Sequence, residues 1–206
     1  MVLINQSRKI TIMGDSGSGK TTLLTYLALN VSKKWSVYIY NTDYENFPIK
    51  DNLIPIKPDY NKVDDIEYLG YVINGLRAKY NNFCIIITDL DKFYDKTIST
   101  SKKSEPIKDL YGTGRHQRIL TIIESKQPRY IPSKILANTN LFYISKFTEI
   151  EDVKRLKNYA DVDTLKSLKL HEFVEVDKWT GSVRIVKLNA NTGKFDIIRD
   201  VNNDKQ

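Results

Sequence analysis

The stretch Gly14-Asp15-Ser16-Gly17-Ser18-Gly19-Lys20-Thr21 decides how this sequence is interpreted. It matches the pattern G-x-x-x-x-G-K-[ST], and it lies between an apolar, β-rich run at Lys9 to Met13 and a segment with helical spacing at Thr21 to Ser32. Glycines let the backbone close around a phosphate with several N–H groups directed inward, and the following helix presents the positive end of its dipole to the same anion. This context predicts a nucleotide-binding loop rather than an ordinary turn.

The residue types within the loop suggest individual roles. Lys20 is placed to reach the β- and γ-phosphates, and the Thr21 hydroxyl is placed to ligate Mg²⁺. ATP and Mg²⁺ are therefore the expected ligands. The residues expected to contact the nucleotide are contiguous: Gly14, Asp15, Ser16, Gly17, Ser18, Gly19, Lys20, Thr21 and Thr22.

A second acidic site follows the most apolar run of the chain. Phe83 to Thr88 shows no polar alternation, which is typical of a strand buried on both faces of a parallel sheet, and Asp89 comes directly after it. Parallel sheets place ligand sites at the carboxyl ends of their strands. Asp89 is therefore predicted to hold Mg²⁺ opposite Thr21, and its alternative role is to cap the following turn.

Strand-like and helix-like segments alternate through the first three quarters of the chain. Further strands are expected at Ser36 to Tyr40, Ile119 to Glu124 and Leu141 to Ser145. Helices are expected at Asp65 to Tyr80 and, more briefly, from Pro132 onward. The alternation predicts an α/β fold of the P-loop NTPase type (RecA/HerA-like), with a mostly parallel sheet flanked by helices.

The last part of the chain changes character. Charged helical stretches from Glu149 to Leu170 precede three alternating segments at Phe173 to Val176, Val183 to Leu188 and Phe195 to Ile198. We expect an antiparallel β-meander at the edge of the same sheet or on one face of it, because roughly 35 residues would not bury an independent core. Residues 1–206 are thus expected to form a single domain, with a core at about 1–156 and an extension at about 157–206.

Composition narrows the functional classes. The 206 residues contain no window near the roughly 18 uninterrupted apolar residues of a membrane span, and the N-terminal apolar run is too short for a signal peptide, so a soluble cytoplasmic protein is expected. The single cysteine, Cys84, has no Cys or His at metal-ligand spacing, which excludes an intramolecular disulfide and a zinc module. The excess of 32 Lys+Arg over 25 Asp+Glu favours a polyanionic partner.

Two classes of phosphate-loop enzyme fit poorly. A GTPase needs an Asn-Lys-x-Asp loop after its later strands, whereas Asn61-Lys62-Val63-Asp64 precedes the strand of Asp89, and Asp89-Leu90-Asp91-Lys92 lacks the glycine of a GTPase metal motif. A small-molecule kinase uses an Arg-rich lid, whereas Asp95 to Lys108 contains no arginine. Motor-type and recombinase-like ATPases remain.

Five pieces occur in a specific order between about Lys9 and Leu156. They are the loop at Gly14 to Thr21, the acidic motif Asn41-Thr42-Asp43-Tyr44-Glu45, the strand before Asp89, the arginine-bearing stretch Gly114 to Arg118 with the strand that runs on to Gln127-Pro128, and the segment Ile131 to Asn138. In this order the sequence resembles the HerA/FtsK-type ATPases, and among them the short genome-packaging ATPases of viruses with internal-membrane icosahedral capsids. Its brevity and its Lys-, Ile- and Tyr-rich composition are similar to those of the packaging ATPases of archaeal turreted icosahedral viruses.

The resemblance implies an ATP-hydrolysing motor that forms a homo-oligomeric ring and moves double-stranded DNA of any sequence into a capsid. Capsid or portal proteins would be further partners, and the host-cell cytoplasm or the virion would be its location. The alternative is a nucleotide-dependent switch or assembly ATPase that acts on a protein partner without moving DNA.

The same resemblance implies roles for residues beyond the loop. Gln127 would sense the γ-phosphate, unless it is a strand-end amide bonded to backbone. Arg115 and Arg118 are candidates for an arginine finger that reaches a neighbouring subunit, unless they form solvated salt bridges.

The chain departs from the family pattern at the general base, because Leu90 stands where a Glu usually follows the metal-binding Asp. Glu45 and Asp91 are the preferred candidates to activate water, ahead of Asp43.

The lysine-bearing segment Lys96 to Ser104, with Lys108 beyond it, has no hydrophobic period and is expected to be a loop. In a ring motor it would contact DNA phosphates, and its alternative is an ordinary solvated loop.

Overall fold

A computed structural model describes residues 8–40, 52–56, 65–92, 105–113 and 117–201. Four of the sequence-based expectations therefore fall outside the described residues: those for Asp43, Glu45, Arg115 and the segment Lys96 to Ser104. Within the described ranges, no helix has the length and apolar character needed to cross a bilayer.

The described strands form one nine-stranded sheet. In chain order they are β1 Lys9–Met13, β2 Val37–Tyr40, β3 Leu53–Ile56, β4 Cys84–Ile87, β5 Leu120–Ser125, β6 Leu141–Ile144, β7 Glu172–Asp177, β8 Ser182–Leu188 and β9 Phe195–Asp200. Their spatial order is β3-β2-β4-β5-β1-β6-β7-β8-β9. The first six positions in this order pair in parallel, and β7, β8 and β9 continue the sheet antiparallel from β6.

Helices cover both faces of the sheet. They are α1 Lys20–Ser32, α2 Asp65–Lys79, α3 Glu105–Thr113, α4 Ser133–Asn138, α5 Ile150–Leu156 and α6 Val162–Ser167, with short 3₁₀ turns at Leu90–Lys92 and Pro128–Tyr130. Leu23 and Leu27 of α1 pack with Ile10 of β1 in one apolar cluster. The apolar sides of α2 to α6 pack in a second cluster on the opposite face. Burial on both faces explains why β1, β2, β4, β5 and β6 are buried along their whole length.

The predicted α/β class, the mostly parallel sheet and the antiparallel edge are confirmed. Of the two positions expected for the meander, the structure selects the sheet edge, with β7 paired to β6.

Two elements, β3 and α3, were not predicted from the sequence. Strand β3 reads Leu-Ile-Pro-Ile, and Pro55 is tolerated there because β3 is an edge strand. Helix α3 buries Ile107 and Leu110, with a proline in its first turn. Lys108 belongs to this helix and pairs with Glu105 at 3.0 Å, so its assignment to a loop was wrong.

The sheet order brings the ends of four parallel strands together at one edge. Strand β5 lies between β1 and β4, and Met13 at the end of β1 is level with Ser125 in β5 and Ile144 in β6. Ile87 at the end of β4 is level with Ile123. Residues that follow these positions in the chain therefore meet at the carboxyl edge of the parallel strands, where open α/β sheets bind ligands.

Candidate nucleotide-binding site

The loop after β1 closes tightly against the start of the segment after β6. A Cβ atom on Gly14 would lie 1.6 Å from the Ser145 hydroxyl, so no larger residue fits at position 14 without displacing that contact. The Ser145 hydroxyl donates to Ser18 Oγ at 2.6 Å. On the outer side of the loop, the carboxylate of Asp15 accepts from the backbone N–H and the hydroxyl of Thr148, both at 2.8 Å. Asp15 therefore holds the loop in place.

The second half of the loop packs against the segment that leads into β7. Gly19 has a φ of +96°, in the left-handed region that favours glycine, and a Cβ atom there would lie 2.5 Å from Nδ1 of His171. The backbone N–H of His171 donates to the Ser18 carbonyl at 3.2 Å. Both the backbone angle and the lack of space therefore require glycine at position 19.

A buried carboxylate lies next to the loop lysine. Nζ of Lys20 donates to the Asp15 carbonyl at 2.9 Å and lies 3.4 Å from Oε1 of Glu124, the penultimate residue of β5. Oε2 of Glu124 accepts from the backbone N–H of Asp89 at 2.8 Å. Burial raises the pKa of the Glu124 carboxyl, although the positive charge of Lys20 and the hydrogen bond from Asp89 act in the opposite direction.

Asp89 has a cationic partner in this structure. Its carboxylate lies 2.6 Å from Nζ of Lys126, and its backbone has a φ of 47°, which is uncommon for an aspartate and directs it out of the strand. Partial burial lowers the pKa of Lys126, but the hydrogen bond and charge of Asp89 outweigh it, so the pKa is raised. The Asp89 carboxylate is thus held at the strand end with its charge balanced.

These side chains line a single cleft of about 430 Å³. Its walls include the loop from Ser16 to Thr22 (except Ser18), with Asp89, Glu124, Lys126 and His171. Thr21 and Asp89 offer a hydroxyl and a carboxylate to the same space, which are the hard oxygen ligands that Mg²⁺ prefers. The donor set therefore fits the expected metal, and the volume fits the phosphates of a nucleotide.

Gly14, Asp15 and Ser18 of the predicted binding loop do not line this cleft, and neither do three site residues predicted outside the loop. Asp91 lies in the 3₁₀ turn after Asp89, and its Oδ1 accepts from the backbone N–H of Lys126 at 2.7 Å, so it ties that turn to the end of β5. The backbone N–H of Gln127 donates to the Ser125 hydroxyl at 3.2 Å. Arg118 is exposed at the start of β5, at the opposite end of that strand from the loop. The roles assigned to these residues stay predictions.

Sequence comparison connects this geometry to a known family. The profile of the poxvirus A32 protein family matches residues 1–190, which is most of the chain. The chain belongs to the poxvirus A32 protein family. No curated protein sequence matched this A32-family chain.

Solved structures share the fold of this A32-family chain. The DNA-packaging ATPase B204 of Sulfolobus turreted icosahedral virus superposes with a TM-score of 0.71 at 19% identity, covering 88% of this chain and 98% of B204. The genome-packaging NTPase B204 of Sulfolobus turreted icosahedral virus 2, solved with ATP-γS, gives 0.70 at 17% identity with the same coverage. The conjugation coupling protein TcpA of pCW3 gives 0.61 at 16% identity, covering 82% of this chain and 57% of TcpA.

The resemblance to packaging ATPases is thus confirmed at the level of family and fold, and the chain has the fold of these P-loop NTPases. Sequence reasoning nevertheless missed Glu124, Lys126 and His171. Glu124 and Lys126 could have been found from the sequence, because they are charged residues at the end of a mostly apolar strand. His171 had no such signal, because it reaches the loop from a distant part of the chain.

Proposed function

We propose that this protein is an ATP-hydrolysing motor that translocates double-stranded DNA and packages a viral genome into a capsid. The observation that supports it most is the shared fold with two packaging NTPases over nearly their whole length, together with membership of the A32 family. The cleft supports the proposed hydrolysis of ATP, because the phosphate-binding loop with Lys20 and Thr21 and the acidic residues Asp89 and Glu124 all line it.

In the proposed reaction, the amides of the loop and Lys20 bind the triphosphate, and Thr21 and Asp89 hold Mg²⁺. The metal, when bound, would neutralise charge on the phosphate oxygens. Asp89 would hold the metal through the carboxylate that pairs with Lys126 in this structure, and Lys126 lines the same cleft as the loop that would bind the phosphates. Hydrolysis then requires a carboxylate that orients water and a positive charge at the γ-phosphate.

The proposal that this protein translocates DNA rests on its structural likeness to packaging NTPases and on its net positive charge. A net charge of +7 favours DNA phosphates, and a motor must bind them without reading the bases. We further propose that the subunits form a homo-oligomeric ring, with capsid or portal proteins as partners. Arg115 or Arg118 would supply the finger to the adjacent subunit, and Gln127 would respond to the γ-phosphate.

The test is ATP turnover measured with and without double-stranded DNA, over a range of protein and salt concentrations. A motor predicts stimulation by duplexes of unrelated sequence, an activity per subunit that rises with protein concentration, and loss of the stimulation as salt increases. Slow turnover that is indifferent to DNA would favour the alternative switch or assembly ATPase. Failure to bind or hydrolyse any nucleotide would refute both.

A further inference from the structure

The structure offers a carboxylate for the position that Leu90 leaves vacant. Leu90 is 1% exposed and belongs to the apolar cluster beneath the sheet, so it contributes no chemistry to the cleft. Asp91, the next residue, is turned toward the backbone of Lys126 and does not line the cleft. A water-activating group must therefore come from another element.

Glu124 is the glutamate that lines the cleft among the described residues. It reaches the cleft from β5, which the sheet order inserts between the loop strand and the strand of Asp89. The residue is 6% exposed, so the carboxylate is shielded from bulk solvent. Shielding strengthens the interaction of such a group with a reacting water.

Two contacts fix the orientation of this carboxylate. Oε2 is held by the Asp89 backbone N–H at 2.8 Å, whereas Oε1 faces Nζ of Lys20 at 3.4 Å. The first contact is local to the strand ends and does not depend on a ligand. The second joins Oε1 to the amine that would bind the γ-phosphate, so Oε1 is the oxygen that faces the reaction.

A γ-phosphate bound by Lys20 would lie close enough to Oε1 for one water molecule to bridge them. Lys20 would hydrogen-bond a phosphate oxygen at about 2.9 Å. A carboxylate 3.4 Å from the same amine therefore lies within reach of a water that contacts the γ-phosphorus. A water bridge of this kind is the arrangement that a water-activating carboxylate needs.

We infer that Glu124 is the catalytic carboxylate of this ATPase, replacing the acid that is missing after Asp89. This inference rests on the proposed ATPase function. In the step it serves, the water oxygen forms a bond to the γ-phosphorus while the bond from that phosphorus to the β,γ-bridging oxygen breaks, and its electron pair stays on ADP. Oε1 accepts the proton that the water loses and later releases it to solvent.

The decisive variant is Glu124→Gln. The amide oxygen still accepts from the Asp89 N–H, so the local geometry is kept, but the side chain no longer takes up a proton. We expect turnover to fall by about 10²–10⁴-fold while equilibrium binding of ATP stays nearly unchanged. The variant should also retain intact ATP through gel filtration, which is a readout that does not depend on turnover.

Glu175→Gln is the matched control. Glu175 is also a buried glutamate with a cationic partner, Arg184, but it lies on β7 and does not line the cleft. The Glu175→Gln variant should turn over ATP at close to the wild-type rate. Thermal melting of both variants separates loss of folding from loss of chemistry.

Five outcomes distinguish this inference from the proposed function. Loss of turnover with ATP retained supports Glu124 as the catalytic group. Turnover by Glu124→Gln at the wild-type rate overturns it and leaves the ATPase proposal standing, and so does a result in which Asp91→Asn, rather than Glu124→Gln, traps ATP. Loss of ATP binding in Glu124→Gln would instead assign Glu124 a positioning role for Lys20 and overturn the catalytic one. A wild-type protein that hydrolyses no nucleotide refutes the proposed function itself.

Discussion

Charge balance at the mouth of the loop is the main feature at the scale of single residues. Two lysines and two carboxylates form the pairs Lys20–Glu124 and Lys126–Asp89 in the part of the chain that the structure describes. Buried charges are tolerated only when paired, and each pair here is linked to the other through the hydrogen bond from Asp89 to Glu124. A nucleotide with its metal would replace these internal partners by its own charges.

Lys20→Ala tests the central assignment at this scale. We expect ATP turnover to fall at least about 100-fold, because the side chain contacts the phosphates whose charge increases during reaction. The change also removes the positive charge of Lys20, which lowers the pKa of the Glu124 carboxyl, so the opposite effect of burial is less compensated.

The measurement is steady-state phosphate release, with thermal melting to check folding. Lys154→Ala, an exposed lysine on α5, is the matched control and should behave as the wild type. Normal hydrolysis by Lys20→Ala would remove the loop from the mechanism.

The elements around the site are short and depend on local caps. Helix α6 has six residues, too few to be stable without help, and Asp161 caps its N-terminus. The Asp161 side chain accepts from the Thr164 N–H at 2.8 Å and from the Thr164 hydroxyl at 2.5 Å. This helix leads into the segment that carries His171 to the loop, so its cap contributes indirectly to the shape of the cleft.

Asp161→Ala should lower the free energy of unfolding by about 1 kcal/mol at neutral pH. The hydrogen bonds from Thr164 lower the pKa of the Asp161 carboxyl in the folded state. A lowered folded-state pKa means that the stabilisation is complete above the unfolded-state value, about 3.9, and is lost as pH falls through the folded-state value.

Denaturant titrations at pH 7 and at lower pH measure this difference. The gap between wild type and Asp161→Ala should shrink in acid, whereas Asp163→Ala, an exposed acid in the first turn of the same helix, should cost less at neutral pH. A gap that does not change with pH would contradict the capping role of the carboxylate.

At the scale of the whole molecule, the C-terminal strands are built into the main sheet. Strand β7 pairs with the whole of β6 through Val174 to Asp177, and Phe173 and Val174 are fully buried. Tyr143 of β6 stacks on Phe195 of β9, with ring centroids 5.5 Å apart and an interplanar angle of 8°. The expectation that residues 1–206 form a single domain stays a prediction.

A chain that ends at Leu156 should therefore fail to fold cooperatively. It would leave the buried strand β6 as an exposed edge and uncover the ring of Tyr143. Thermal melting and size-exclusion chromatography of this chain beside the full-length protein provide the test. A sharp melting transition and a monodisperse peak for the shortened chain would show instead that the core is a domain by itself.

The proposed ring leads to a prediction that concerns several subunits. Arg115→Ala should lower turnover and leave ATP affinity nearly unchanged, because a finger acts on the transition state. Subunits of the Lys20→Ala variant keep Arg115 but have a defective loop. Mixing them with Arg115→Ala subunits should therefore restore part of the activity. Repeating the mixture with Arg118→Ala identifies which arginine acts, and no recovery with either would contradict a finger supplied by a neighbour.

The sequence by itself determined the loop, the buried strand before Asp89, the α/β class and the antiparallel end of the sheet. Each of these depends on contiguous residues, whose spacing and hydrophobic period reflect local geometry. Strand β3 and helix α3 were not predicted, because a proline and a polar flank obscure the hydrophobic pattern of these short elements. Their formation depends on tertiary packing.

Only the tertiary structure showed that Glu124 lines the cleft beside Asp89. Asp89 and Glu124 are 35 positions apart in the chain, and they meet because β5 lies between β1 and β4. His171 directly precedes β7. It reaches Gly19 because β7 lies beside β6, and β6 lies beside β1, the strand that precedes the loop. Such contacts follow from the order of strands, which is set by the packing of the whole core and is not encoded in any single stretch of sequence.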